Sequence, residues 1–592
     1  MRNLFKVFLL YFLLTSTAFA TTITAAAGGG NWTTGGTWVG GVAPTAADDV
    51  LLTGTSGNVT IDSGAVGRSL NCTGYTGTLS HNGSTTLTLG DATAGLSNVA
   101  LKLVSGMTYT KVSNTSSAIT FVSTSATQQT IATGGKVLGN VTFNGAGGNW
   151  ILSDTLLING SASTNLTLTA GGLATNSQTV SVGAISTNNS NVRALDITNS
   201  SINLNVASGN IFSMATSTNM TFSATGSTIT LTDTGASDKT FASGGKTFDA
   251  IVINLGGAGK VIFSGGGTYK SFSTALTGTK SVQFTSGTTS TITGTSNTPF
   301  FSGTSGNLVT ISSTTGASAA TLSKASSALF PTYVISDYLS VQDITVTGGA
   351  NWYAGAHSTN VSGNTGWNFS TYTIFNSGTS WTVPADSQAT KIEGWGGGAG
   401  GGDGDAGGSN TGGAGGGSGG YFSKTVTGAA GTNYSFTIGA GGLGTTPAAS
   451  CINGANGNAT TVTSPSLTAN GGVGGGNCGG PATGGAGGTA SGGDTNTTGG
   501  TGGNSSGNNG GKGGDAPNGG AGGAADTVAD GSGNSGNAPG GGGSGGRKTD
   551  PGGDGVVGRI AFTSVTTTTT STTTTTVAGS QRGRMLLLGI GG

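Results

Sequence analysis

From Gly394 to Gly420 the chain reads GWGGGAGGGDGDAGGSNTGGAGGGSGG, with 17 glycines in 27 residues, and no aromatic residue occurs between Phe436 and Phe562. Glycine buries almost no apolar surface and loses the most conformational freedom when it is ordered. A conventional core therefore cannot hold this stretch, which either stays disordered or orders through its backbone. Five units share the form G-G-x-G-G: Gly412 to Gly416, Gly484 to Gly488, Gly499 to Gly503, Gly510 to Gly514 and Gly519 to Gly523. In an extended helix of three residues per turn, this spacing gives two bare faces and one side chain per turn. Bare faces let backbones approach to hydrogen-bonding distance, and many lateral N–H to C=O bonds are needed to offset an ordering cost of about 1 to 2 kcal/mol per residue.

Strand patterns surround and interrupt the glycines: TIFNSGTSWTVP from Thr373, ATKIEGW ending at Trp395, YFSKTVT from Tyr421, YSFTIGAGG from Tyr434, and GVVGRIAFTS ending at Ser564. Spacers rarely alternate with strands, so residues 373–563 are expected to form a glycine-rich domain on a small β-scaffold. The matching residues resemble the glycine-rich domains of secreted bacterial proteins and of phage tail-fibre adhesins. They are Trp381 to Pro384, Gly394-Trp395-Gly396-Gly397-Gly398, Tyr434 to Gly442, and Gly552 to Ile560. The resemblance implies polyglycine helices packed as a sandwich, with a receptor-binding tip in the loops between them. The polar side chains available for such contact are Asp403, Asp405 and Asn410 in the first tract, and Asn504, Asn508 and Asn509 between the third and fourth units.

Upstream, residues 21–372 are rich in Thr, Ser and Asn, with short alternating strands such as NVTID from Asn58 and IVINLGG from Ile251, and no amphipathic helix. The region is all β. Ala118 to Asp154 matches Thr228 to Gly265 at an offset of 110 residues, placing Ile119 opposite Ile229 and Gly134-Gly135-Lys136 opposite Gly244-Gly245-Lys246. Such a period fits about five stacked coils of roughly 22 residues or a duplicated sandwich domain. Charged residues are only 7% of the chain, against about 25% in ordinary domains. That deficit favours the stack, because like charges in a column about 4.8 Å apart would repel along its whole length. Some fifteen coils would make a rod of about 70 Å. Two segments are similar to the ends of secreted and phage-encoded β-helical surface proteins: Gly29 to Leu52, with its Trp pair and Asp48-Asp49, as the entry, and Asn307 to Phe369 as the closing coils. This similarity implies an elongated β-solenoid serving as a surface scaffold.

The ends of the chain carry addresses. Arg2 and Lys6 precede the apolar run Val7 to Leu14, and Ala18-Phe19-Ala20 closes it as a small-x-small site, so residues 1–20 read as a secretory signal peptide. Cleavage lowers the 21 basic groups to 19 against 21 acidic ones. A nearly neutral chain offers nucleic acid no clustered basic surface, and no stretch is long and apolar enough for a transmembrane anchor. Residues 564–592, with the run Thr566 to Thr576 and the tail RGRMLLLGIGG, read as a disordered linker and tail or an attachment peptide. Three cysteines exclude a dense disulfide scaffold; Cys451 and Cys478 can pair after export, leaving Cys72 buried.

The chemical inventory is thin. SGGKT at Ser243 has the ending of a phosphate loop but carries Thr240 where the motif requires glycine, and GGDGDAGG at Gly401 has Ala406 where a calcium nonapeptide has Asp. Only His81, His357 and Glu393 supply imidazole or a glutamate carboxylate, both histidines reading as surface residues, so no catalytic, metal or cofactor set is expected. Asp337 and Asp343 flank YLSVQ with a spacing that puts both on one strand face, the pattern a glycan-degrading solenoid needs. Trp352, Tyr353 and Trp367 stack on sugars if exposed, or plug the last coil if buried. These readings point to a non-enzymatic, adhesin-like structural protein outside the cell or at its surface. A surface glycan or outer-surface protein is its expected partner. A virion tail fibre is the alternative, and a polysaccharide-degrading solenoid enzyme a weaker one.

Overall fold

The computed structural model describes residues 21–566 apart from 113–116, 159–164, 275–279, 295–297, 327–331, 385–386, 406–410, 428, 446–451, 478–481 and 529–530. Residues 1–20, expected as a signal peptide, and most of the C-terminal tail thus lie outside the described residues. What is described is all β, and the first part is a solenoid of parallel strands.

Its longest ladder begins at Val66–Gly67 and passes through thirteen strands, each bonded in parallel to the next rung, to Thr359–Ser362. A second parallel ladder of ten strands runs from Val137–Leu138 to Ile344–Thr347. With the earlier rungs that begin at Thr22–Thr24, the described strands make about fifteen coils, each adding about 4.8 Å of height. Alternation sets the core: along Ala118–Phe121, Ile119 and Phe121 are buried while Ala118 and Thr120 are not. The inward residues of successive coils stack on like residues. Phe212, Phe241, Phe263 and Phe284 occupy four consecutive rungs in register, with neighbouring ring centroids 4.9 to 5.4 Å apart.

The 110-residue offset keeps a corner and moves the strands around it. Gly134 and Gly135 have φ of 60° and 73°, and Gly244 and Gly245 have 59° and 72°, a left-handed pair that glycine adopts at no steric cost. Each corner's lysine reaches another coil, Lys136 Nζ donating to the Ser105 carbonyl and Lys246 Nζ to that of Met220, both at 2.8 Å. Yet Ile119 lies in the 20-stranded sheet and Ile229 in the ten-stranded one. Coils differ in length: partners one rung apart are 19 residues apart at Leu166 and Ile185, and 32 at Leu87 and Ile119. A repeat in sequence therefore need not fall on the same face.

Polar side chains work between coils mostly by bonding backbone. Asn149, Asn176, Asn189, Asn191 and Asn219 each donate a carboxamide N–H to a carbonyl on a neighbouring coil. The scarce cations do the same. Arg193, almost fully buried, donates to the carbonyls of Thr187, Asn191, Thr216 and Thr218 at 2.6 to 3.0 Å. Lys280 and Lys324 bond the Leu255 and Gly294 carbonyls, and Lys239 is buried between Asp233 and the carbonyls of Gly235 and Ser237. Near the entry Arg68 pairs with buried Asp49, while Trp32 and Trp38 pack edge to face beneath.

The closing coils divide the three aromatic residues between two tasks. Trp352 is buried against Trp367 and Phe300, at centroid distances of 5.4 and 5.6 Å, filling the last turn of the core. Tyr353 points outward and stacks on Tyr372 at 4.8 Å, which also stacks on Tyr333 at 4.6 Å. Tyr372 belongs to Thr371–Phe375, the first strand of the C-terminal part, so the stack joins solenoid and glycine-rich domain, together with Trp395, Tyr421, Ala516 and Ala561.

Arg193→Met is expected to destabilise the solenoid by about 3 kcal/mol, since four carbonyls lose a donor, the buried one of Thr187 among them. Lys260→Met, at a half-exposed pair, should stay within about 0.5 kcal/mol. Urea unfolding followed by circular dichroism checks both.

Candidate functional site

In the C-terminal part, two antiparallel sheets form the scaffold. One has the strand order Thr371–Phe375, Arg559–Thr566, Ser387–Trp395, Tyr421–Thr427, Thr495–Thr497; the other runs from Ser380–Thr382 through Asn433–Thr437, Thr460–Val462 and Leu467–Ala469 to Ala490–Ser491. Ile392, Phe422, Tyr434, Phe436, Val462, Leu467, Ile560 and Phe562 are buried between them. From these strands the glycine tracts continue as extended helices with a strict period of three.

The first tract shows the period. The amides of Gly396, Ala399 and Gly402 donate to Gly420, Gly417 and Ala414; those of Gly397 and Gly400 to Asn458 and Ala455; those of Gly398 and Gly401 to Val556 and Gly553. Its carbonyls at Gly397, Gly398 and Ala399 accept from Gly472, Gly442 and Gly543. Six neighbours thus surround it. The tract from Gly412 to Gly420 is enclosed likewise, donating to the segments 500–507, 540–546 and 470–476 and accepting from Gly485, Gly488, Gly511 and Gly514. Every residue from Gly394 to Gly404 and from Gly412 to Phe422 is buried. At that packing distance the glycine positions have no room for a side chain: a Cβ added at Gly401 would overlap the Ser544 carbonyl oxygen, and one at Gly415 that of Lys512. Outer helices show the same period as exposure, Thr483, Ala486 and Thr489 facing solvent while Ala482, Gly485 and Gly488 are buried.

An outer helix has amides with no helix beside them, and side-chain oxygens take these. Asn456 accepts from Gly474 at 2.8 Å, Asn453 from Asn477 at 3.0 Å, Asn504 from Gly484 at 2.9 Å, and Asp554 from Gly444 at 2.7 Å. These capping residues escape a motif search. Their signal is the three-residue recurrence in INGANGN, Ile452 to Asn458, which puts Asn453 and Asn456 on one face.

The helices begin at the scaffold, where Trp395 Nε1 donates to the Pro517 carbonyl, and reach turns at the opposite end. There the Asp405 amide donates to Thr411, the Gly412 amide to Gly507, and the Lys548 amide to Asn508. Asp405, Asn504, Asn508 and Asn509 are therefore gathered at one end. Asn508 is exposed in the turn from Ser506 to Asn509, Asn509 is half-buried, and the Asn504 carboxamide oxygen is committed to Gly484. Asp403 is not displayed as expected. It is 1% exposed, one carboxylate oxygen accepting from the Ile452 amide at 2.8 Å and the other without a donor, because the central helix carries it inward. Burial raises its carboxyl above the ordinary range, against the lowering effect of the Ile452 bond. Asn410, Cys451 and Cys478 lie outside the described residues, and among those described no group of three or more His, Cys, Asp or Glu is placed to hold a metal.

The solenoid's ionisable residues are placed differently from the sequence expectation. Asp337 and Asp343 do not share a strand face: the strand between them is only Leu339–Gln342, and Tyr338 and Asp343, with φ of 55° and 53°, turn the chain at both ends. Asp337 bonds His357 Nδ1 at 2.7 Å, and the His357 ring stacks on Tyr338 at 4.5 Å. Asp343 is buried and accepts from the Ala317 amide. His81 is not a surface residue but 3% exposed, its ring bonded to Tyr109 Oη at 2.7 Å and to Thr85. Burial lowers it to about 4. Cys72 is buried and free, and burial pushes its thiol up. Glu393 accepts from Tyr421 Oη at 2.6 Å and Lys391 Nζ at 2.8 Å.

A scaffolded lattice of three-residue helices, with turns collected at one end, defines a glycine-helix domain. Residues 373–584 match the family model described as Glycine-rich domain, so the C-terminal part carries a domain of that kind. No curated protein matches the chain. No helix among the described residues is long and apolar enough to cross a membrane.

Gly401→Ala or Gly415→Ala should each cost about 3 kcal/mol or more by forcing helices apart. Gly503→Ala, whose Cβ would stand 3.0 Å from the nearest atom, should be far milder. Thermal melts rank them, and slow amide exchange across residues 396–404 should be lost in the first two. For His81 the folded value lies below the unfolded one, so the unfolded chain takes up the proton first. Stability is full above pH about 6.5 and declines by roughly 3 kcal/mol toward pH 4. His81→Gln should flatten that part of a melting-temperature profile against pH.

Proposed function

We propose that the chain is an exported, non-enzymatic surface-display protein in which the solenoid carries the glycine-helix domain outward and the turns of that domain make the attachment. The observation that carries this reading is the lattice itself. Two fully enclosed helices fix the turns that hold Asp405, Asn508 and Asn509, so the polar groups there have little entropy left to lose on binding. The tyrosine stack between Tyr333, Tyr353 and Tyr372 supports it by fastening the domain to the solenoid. The chain's few acid–base groups serve structural bonds, Glu393 to Tyr421 and His81 to Tyr109, which favours display over catalysis. The expected partner is a surface glycan or a polar loop of an outer-surface protein. The resemblance to tail-fibre adhesins makes a virion the alternative place of display.

The test is attachment of the full chain to bacterial cells and to capsule and wall polysaccharides. Asn508→Ala is expected to weaken attachment about tenfold with an unchanged melting temperature. Release of reducing ends from a polysaccharide, abolished by Asp337→Asn, would replace this reading with a hydrolase.

A further inference from the structure

A cavity of about 280 Å³ opens on the side of the solenoid, lined among others by Phe222, Thr225, Thr247, Asp249, Lys270 and Thr293. It spans the strands Met220–Ser223, Thr247–Ile253 and Thr268–Thr274, reaches Thr293 just past Thr289–Ile292, and lies on no part of the glycine-rich domain. Phe222 is only half-buried, held from behind by Phe248 at a centroid distance of 4.9 Å. The aromatic column of the core thus surfaces here and leaves part of one ring to the cavity. Beside it stands an ion pair of fixed geometry. Asp249 accepts from the Gly226 amide at 2.7 Å and meets Lys270 Nζ at 3.0 and 3.2 Å, its side chain 10% exposed and that of Lys270 57%. One carboxylate oxygen is anchored to the Gly226 backbone and the other meets only the ammonium, which fronts the opening.

We propose that this cavity binds one neutral pyranose residue of a glycan. An aromatic ring presented to a cleft takes the apolar C–H face of a sugar. An adjacent carboxylate and ammonium offer an acceptor and donors to neighbouring hydroxyls, and the threonine hydroxyls on the rim extend the same chemistry. The volume suits a single ring rather than an oligomer. Because Asp249 and Lys270 cancel, the site carries no net charge, so a neutral sugar is preferred over a uronate or sialate. This inference deepens the reading of the chain as a surface-binding protein and gives it a second, separate contact point. Weak binding at a single sugar is offset when many copies or several contacts engage at once.

The test is saturation-transfer NMR on the full chain with methyl glycosides of glucose, galactose and mannose, N-acetylglucosamine and glucuronate at millimolar concentration. The expected result is transfer to the ring C–H protons of at least one neutral pyranose, with glucuronate weaker. Thr247→Trp, at an exposed position on the rim, fills the cavity without touching the core and should abolish transfer. Lys270→Gln should weaken it about tenfold. Phe222→Ala removes the platform and is read together with its melting temperature. Absence of transfer from every neutral pyranose, transfer that survives Thr247→Trp, or glucuronate binding as well as the neutral sugars would overturn the proposal. Substitution of Asn508 leaves this readout untouched, so the pocket and the attachment through the turns fail independently.

Discussion

Backbone amides bonded sideways to a distant stretch of the same chain hold both halves of this molecule. In the solenoid the partner is the preceding or following coil, as where Phe241 pairs with Phe212 and Phe263. In the glycine-rich domain it is another helix, which can lie as far away in sequence as Val556 is from Gly398, whose amide donates to it. Side chains decide only what such bonding leaves over. Inside the solenoid they fill a narrow core with Leu, Ile, Val and Phe; inside the lattice they are few and mostly small, as at Ala399, Ala414 and Ser418. The same force thus produces two opposite compositions, because coils bond along one direction and leave two faces for side chains, whereas enclosed three-residue helices bond in six directions and leave room for few beyond such small ones.

The low charge content follows from this. Arg193, Lys280 and Lys324 are buried and bonded to carbonyls of a neighbouring coil, while buried Lys239 closes its own turn through the Gly235 and Ser237 carbonyls. At the margins of the lattice the same need is met by neutral oxygens, those of Asn453, Asn456 and Asn504. In each case a backbone group without a ladder partner would otherwise be left unsatisfied.

Much of this architecture is legible in the sequence, and the parts that are not have a common cause. Alternation at Ile119 and Phe121 announces strands, and G-G-x-G-G announces three-residue helices, since both are local periods. The expectation that Asp337 and Asp343 share a face misses because it extends a strand period through Tyr338 and Asp343, two residues in left-handed conformations that no local pattern marks. Asp403 reads as a displayed carboxylate, yet sits in the most enclosed helix, a matter of which tract lies at the centre. His81 reads as a surface residue because its burial depends on Tyr109, a coil away. The aromatic cluster at the end of the solenoid is visible, but not its division, Trp352 and Trp367 turned inward and Tyr353 outward. Strand alternation separates Trp352 from Tyr353, but the partner of the outward ring, Tyr372, belongs to the next domain.

The direction of the bonds in the glycine lattice has a mechanical meaning. Helices that start at the scaffold and end at the turns lie along the line of any pull applied between the two, while their hydrogen bonds lie across it. A tensile load is then carried in shear by rows of bonds acting together, instead of opening them one at a time as a zipper would. Gly396 to Gly404 alone engages three neighbours as donor and three more as acceptor. A tether of this construction stays short and stiff until whole rows give way at once.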